Sequence, residues 1–218
     1  MNTNFDLIVF DWDGTLMDSA ASIARAIQLA CADLGLPVPD DARARHVIGL
    51  GLIEALQYAA PDLPQSDYPK LSERYRHHFF ATVDSLVLFP GTRELLDWLA
   101  AQGRLLAVAT GKSRLGLDHS LAQSRLGAVF HATRCADECF SKPHPAMLEE
   151  LMAELAVSPE KTLMIGDTTH DLKMAKNAGV AGLGVGFGAH PVEYLRAEEP
   201  LAVVDTPQEL AAWLRANV

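Results

Sequence analysis

Asp11 and Asp13 stand one residue apart at the end of an apolar run, Ile8-Val9-Phe10, and are followed by Gly14 and Thr15. In extended backbone residues i and i+2 point the same way, so both carboxylates are expected to face one crevice. Two carboxylates so close repel unless a cation, a shared proton or donor groups hold them. Reactive groups recur in the same setting further along. Thr110-Gly111-Lys112 follows the apolar run Leu105–Ala109, Gly166-Asp167 follows Thr162–Ile165, and Asp171 lies one helical turn beyond Asp167. Asp167 supplies the third acid that an oxygen-ligand cation site needs. Thr110 with Gly111 suits an oxyanion held by a hydroxyl and backbone N–H groups. Lys142, in a loop stiffened by Pro143 and Pro145, adds a compact positive charge.

The elements that must position these groups follow from the hydrophobic pattern. The three apolar runs read as strands buried on both faces, as in a parallel sheet, each ending in reactive residues. Gly182–Gly186 and Leu201–Val204 are shorter candidate strands, and helical stretches alternate with strands from Pro90 onward. Thr206-Pro207-Gln208-Glu209 has the form of a capping box opening a terminal helix. Strand and helix in alternation imply an α/β fold with a doubly wound parallel sheet. The crevice at the carboxyl ends of such strands is where ligands bind.

The stretch 18–83 breaks this alternation. Asp18 and Ser19 are candidate N-caps for a helix carrying Ile23, Ile27, Ala30 and Leu34. Ala42–Val47, Ile53–Ala59 and Leu71–Val83 continue at helical spacing, separated by Gly49-Leu50-Gly51 and by loops at Pro61, Pro64 and Pro69. The expected division is a sheet domain of residues 1–17 and 84–218 with an inserted all-helical domain, 18–83.

The 218 residues are 49% hydrophobic, enough for a real core, and carry a formal net charge of −10. That balance argues against nucleic acid or an anionic membrane as partner. No apolar run approaches the length of a membrane span, and a cytoplasmic protein is expected, a monomer or small homo-oligomer. Cys135 and Cys139 have no second ligand pair nearby, so with Cys31 they read as thiols in a reducing compartment.

The segments DWDGT, ATGKS, SKPHP and GDTTHD resemble, in order, the four motifs of the haloacid-dehalogenase-like (HAD) phosphatases. The helical insertion resembles that family's C1 cap, and the chain is most similar to the phosphoglycolate-phosphatase-like branch. The resemblance implies a Rossmann-like core and a Mg²⁺-dependent phosphatase. It makes Asp11 the nucleophile that forms an aspartyl-phosphate and Asp13 the acid, then base. It places the metal on the Asp11 carboxylate, the Asp13 backbone carbonyl and the Asp167 carboxylate, with Asp171 supporting the metal shell or Lys142. Thr110, Gly111 and Lys142 would bind the substrate phosphate, which is consistent with the charge compensation that phosphoryl transfer requires.

The substrate implied is a small phosphorylated metabolite, phosphoglycolate or a sugar phosphate. Gly49-Leu50-Gly51 resembles the family's substrate-facing loop, and Arg45 and His46 just before it are candidates to meet a substrate carboxylate or hydroxyl. Tyr75 and Arg76 read as surface of the helical block, and His170 as a structural neighbour. Lys112 and Arg114 read equally as a cationic rim or as solvated charges. Trp12, where the family commonly has an aliphatic residue, reads as packing. Alternatives are a phosphomutase on the same fold and a non-catalytic module that binds a phosphorylated ligand.

Overall fold

Residues 5–218 are described in a computed structural model; residues 1–4, part of the expected segment 1–17, lie outside them. The strands are β1 (Leu7–Phe10), β2 (Leu105–Thr110), β3 (Ala132–Cys135), β4 (Thr162–Gly166), β5 (Ala181–Val185) and β6 (Ala202–Val204). All pair in parallel in the order β3-β2-β1-β4-β5-β6. The order reverses direction at β1, so the switch point of the sheet lies beside the first aspartates. The helices are α1 (Ala20–Asp33), α2 (Asp41–His46), α3 (Leu52–Ala59), α4 (Tyr68–Val83), α5 (Thr92–Ala101), α6 (Arg114–Ser124), α7 (Ala146–Leu155), α8 (Thr169–Asn177), α9 (Val192–Ala197) and α10 (Pro207–Asn217).

Every residue of β1 is fully buried. Ile8 and Phe10 join Leu95, Leu99, Leu210 and Leu214 on the face covered by α5 and α10. Leu7 and Val9 join Met147, Leu151 and Met174 on the face covered by α7 and α8. Trp12 continues the Ile8–Phe10 side, packing edge-on against Phe130 at 6.3 Å between ring centres, so it is a core residue and leaves the crevice to its neighbours.

Helices α1 to α4 gather round a cluster of their own, including Ile27, Cys31, Leu56, Leu71 and Phe79. The chain enters and leaves this block on two short extended segments bridged to each other. Asp18 N–H donates to Val87 O (2.9 Å), Phe89 N–H donates to Leu16 O (3.0 Å), and Met17 bridges Leu88.

Several local expectations change. β3, an edge strand with Thr133 and Arg134 half exposed, has no apolar run to announce it. Helix α4 starts at Tyr68 and takes Pro69 into its first turn, where a missing N–H costs nothing. Thr206 caps α10 by accepting from Glu209 N–H (3.1 Å), but Glu209 accepts from Asp205 N–H (2.8 Å), so the box is not reciprocal. A reciprocal capping box opens α8 instead, between Thr168 and Asp171.

Candidate active site

β1, β2 and β4 end side by side, and their outgoing loops hold the site. Asp11 N–H donates to Ile165 O (2.9 Å), extending the sheet register one residue past β1. The carboxylates of Asp11, Asp167 and Asp171 are all buried and offer oxygens within 4.8 Å of one another. Lys142 lies among them, itself only 2% exposed, with Nζ 2.8 Å from Asp11 Oδ1 and 2.6 Å from Asp171 Oδ1. Asp171 Oδ2 accepts from the Thr168 hydroxyl (2.7 Å) and backbone N–H (3.1 Å), so one carboxylate both caps α8 and fixes Lys142. Asp167 accepts from the Thr15 hydroxyl (2.8 Å) and from Ala189 N–H (2.7 Å). Thr15, the hydroxyl that follows Asp13 and Gly14, has no role assigned from sequence; its part is to hold Asp167.

One ammonium among three acids leaves the cluster short of positive charge. Burial, reinforced by Asp171, pushes the Asp11 carboxyl up to about 7 against the pull of Lys142. Burial and repulsion from Asp11 and Asp171 hold Asp167 well above the usual carboxylate range. Burial opposes charge on Lys142 too, but Asp11 and Asp171 outweigh it and raise the ammonium above its ordinary value. Asp11 Oδ2 is buried without a hydrogen-bond partner among the described residues. An open carboxylate oxygen beside a second buried carboxylate fits a small hard cation.

Gly14 makes this closeness possible. Its φ of +84° is in the left-handed region, and a methyl group there would overlap the Asp167 carboxylate.

Asp13 lines the same cavity as Asp11, as expected, but has different partners. Its carboxylate accepts from Ser19 Oγ (2.7 Å) and from Lys112 Nζ (2.9 and 3.1 Å). Ser19, read as an N-cap, makes no cap bond and serves Asp13 instead. Lys112 is neither rim nor solvated charge: it is almost wholly buried and lies under the Phe79 ring, 4.9 Å from its centre. Arg114 turns away to Glu138 (2.7 Å). Thr110 accepts from Lys112 N–H (3.2 Å), while α6 is capped by Ser113, so Thr110 is free of the capping role.

The loop between α2 and α3 closes over these residues. A methyl group at Gly111 would run into the carbonyl oxygens of Gly49 and Leu50. Gly51 N–H donates to Ser141 Oγ (2.8 Å). His170 and His190 both point Nε2 at the His46 carbonyl oxygen (2.8 and 3.0 Å). His190 Nδ1 accepts from Thr169 N–H (3.1 Å), which fits a neutral ring, and burial pushes its pKa down to about 4. His46 is thus part of this contact, and Arg45 is paired with Asp41 (2.8 Å). Neither lines the cavity over Asp11 and Asp13; Tyr75 and Arg76, read as surface, do.

That cavity has a volume of about 560 Å³. Asp11, Asp13, Thr110 and Gly111 form its floor, and α1, α3 and α4 supply most of its wall. Among the described residues no helix is long and apolar enough to cross a membrane.

Residues 8–185 match the family model described as haloacid dehalogenase-like hydrolase. The chain is 38% identical over 210 residues to the probable phosphatase IndB of Dickeya dadantii, covering 94% of this chain and 91% of that one. It is 33% identical over 195 residues to a 5'-nucleotidase of Pseudomonas aeruginosa, covering 88% of each. The crystal structure of a predicted phosphoglycolate phosphatase from Haemophilus somnus superposes with a TM-score of 0.85 at 26% identity, covering 99% of both chains.

Proposed function

The chain belongs to the haloacid dehalogenase-like hydrolases and is a phosphatase among them; we propose that it hydrolyses a small phosphomonoester, with Mg²⁺, through an aspartyl-phosphate on Asp11. The observation that carries this is the Asp11 carboxylate. One oxygen is tied to Lys142, and the other is buried without a partner at the floor of the cavity.

Asp11, the Asp13 backbone carbonyl and Asp167 would hold Mg²⁺, with Asp171 keeping Lys142 beside them. When bound, the ion neutralises charge on the phosphoryl oxygens. Lys142 and the Thr110 hydroxyl with the Gly111 N–H group take the same oxygens from the other side. Asp11 attacks phosphorus as the ester P–O bond breaks, and protonated Asp13 gives its proton to the departing alkoxide. Asp13, now a carboxylate, takes a proton from water as that water attacks phosphorus. The bond to Asp11 breaks, and phosphate and free enzyme result. Segment 18–83 acts as the cap that excludes bulk water during the first step. We place the enzyme in the cytoplasm, as a monomer or small homo-oligomer acting on a phosphorylated metabolite.

The relatives' names run from phosphoglycolate to nucleotides, and the leaving group is to be read from the cavity. The test of the chemistry is phosphate release from a panel of phosphomonoesters, with Mg²⁺ and with chelator. Release that stops with chelator and in Asp11→Asn is expected. Undiminished release in Asp11→Asn would remove Asp11 from the nucleophile's place.

A further inference from the structure

The cavity over Asp11 changes character with height. Its floor is polar, but the wall contributed by the cap is built from Ile23 and Ile27 of α1, Ile53 of α3, and Tyr75 and Phe79 of α4. The Tyr75 and Phe79 rings, one helical turn apart, stack on each other, parallel within 7° at 5.8 Å, and Lys112 Nζ lies 4.9 Å from the centre of the Phe79 ring, so Tyr75 is the ring of the pair presented to the cavity. Burial and the nearby Asp13 raise the Tyr75 phenol above its ordinary value, so the ring stays neutral. Glu54, Gln57 and Arg76 also line the cavity, all three exposed and with side chains that make no hydrogen bond or ion pair to any described residue.

We propose, resting on the phosphatase reading above, that the substrate is a phosphomonoester whose alcohol carries a planar ring system of nucleoside size. The phosphate sits at Asp11 and Lys142, and the ring lies against Tyr75 and the isoleucines of the same wall. A cavity of about 560 Å³ belongs with ligands much larger than a two-carbon acid, since sites of roughly 300–1,000 Å³ enclose drug-sized molecules. Phosphoglycolate would leave this apolar wall in contact with water. It would also bring a carboxylate, which needs a cation or several donors when buried. Lys142 is taken up by Asp11, Asp171 and the phosphate itself, and Lys112 is almost wholly buried beside Asp13 at the floor. Among the described residues that line the cavity, Arg76 is the remaining cation, and it is exposed. A ring system satisfies the wall by stacking and apolar contact. Its polar edges and hydroxyls match the mixed donors and acceptors of Glu54, Gln57 and Arg76.

The test is kcat/KM with Mg²⁺ for adenosine 5'-monophosphate, uridine 5'-monophosphate, ribose 5-phosphate and 2-phosphoglycolate. The nucleotides are expected to exceed 2-phosphoglycolate by at least about 30-fold and to exceed ribose 5-phosphate, which has the sugar but lacks the base. Tyr75→Leu should narrow the ratio of nucleotide to ribose 5-phosphate. Chelator-sensitive turnover that favours 2-phosphoglycolate, or does not distinguish it from the nucleotides, would overturn the ring-bearing substrate and leave the phosphatase reading standing. Absence of turnover on all four would count against the phosphatase reading instead. Calorimetric titration of Asp11→Asn with adenosine 5'-monophosphate and with 2-phosphoglycolate then decides the inference alone: tighter nucleotide binding supports it, and equal or weaker binding rejects it.

Discussion

Lys142 is the residue on which the buried charges depend. Its ammonium is shared by Asp11 and Asp171, and none of the three is accessible to solvent. Removing one side of such a group leaves uncompensated charge, which costs about 3–5 kcal/mol. Lys142→Met is therefore expected to destabilise the protein by about 3 kcal/mol at pH 7 as well as abolish turnover. The loss should shrink near pH 5, well below the value of about 7 at which Asp11 takes up a proton and leaves less charge for Lys142 to balance. Urea midpoints at the two pH values check this, and an equal loss at both would show that packing, not charge, is what Lys142 provides. The acids were legible in the sequence because each lies at or one helical turn beyond the end of an apolar run, and Lys142 because the prolines at 143 and 145 fix the loop that presents it. Lys112 was not, because neither spacing nor residue type reveals an ion pair between positions 99 residues apart, and Ser19, six residues from Asp13, carries the ordinary mark of an N-cap. Arg45 was legible only as a cation; its Asp41 partner, one helical turn away, takes it out of the site.

Among the elements, the loop between α2 and α3 rests on the β2 loop by backbone alone. Carbonyl oxygens of Gly49 and Leu50 occupy the space a side chain at Gly111 would need. Gly111→Ala should leave the sheet and the helices folded but hold this loop away from Thr110. Misplacement of that order can cost about 100-fold in rate, so kcat/KM should fall by that factor while the thermal midpoint moves little. A loss of stability matching the loss of rate would place Gly111 in the folding of the core instead. β1, β2 and β4 could be read directly, since strands covered on both faces are continuous apolar runs. β3 could not, because an edge strand carrying Thr133 and Arg134 lacks that signal. The glycines at 49 and 51 were legible as a loop, but what they approach is set by packing between segments far apart in sequence.

For the molecule as a whole, the metal-free site sets a pH dependence. Burial raises the Asp11 carboxyl to about 7 and raises Asp167 as well, whereas in the unfolded chain an aspartate ionises near about 4. The native state then holds more protons between those values, so the free energy of unfolding falls as pH rises through that window. Mg²⁺ binds the deprotonated carboxylates, and its stabilisation should grow over the same range. Thermal midpoints at pH 5 and pH 8, with chelator and with Mg²⁺, test both; a Mg²⁺ shift that is larger at pH 5 would contradict the assignment of these carboxylates to the ion. A parallel α/β architecture was legible from the alternation of elements, but the strand order was not, and neither was the depth of the cavity, which several helices close together. The bridged segments at Asp18–Val87 and Leu16–Phe89 carry a design consequence. The helical block departs and returns at one point, where its two ends are already neighbours. It is a cassette: walls of another shape could be spliced onto the same ribbon, redirecting one phosphoryl chemistry to a new leaving group while the sheet and its reactive loops stay as they are.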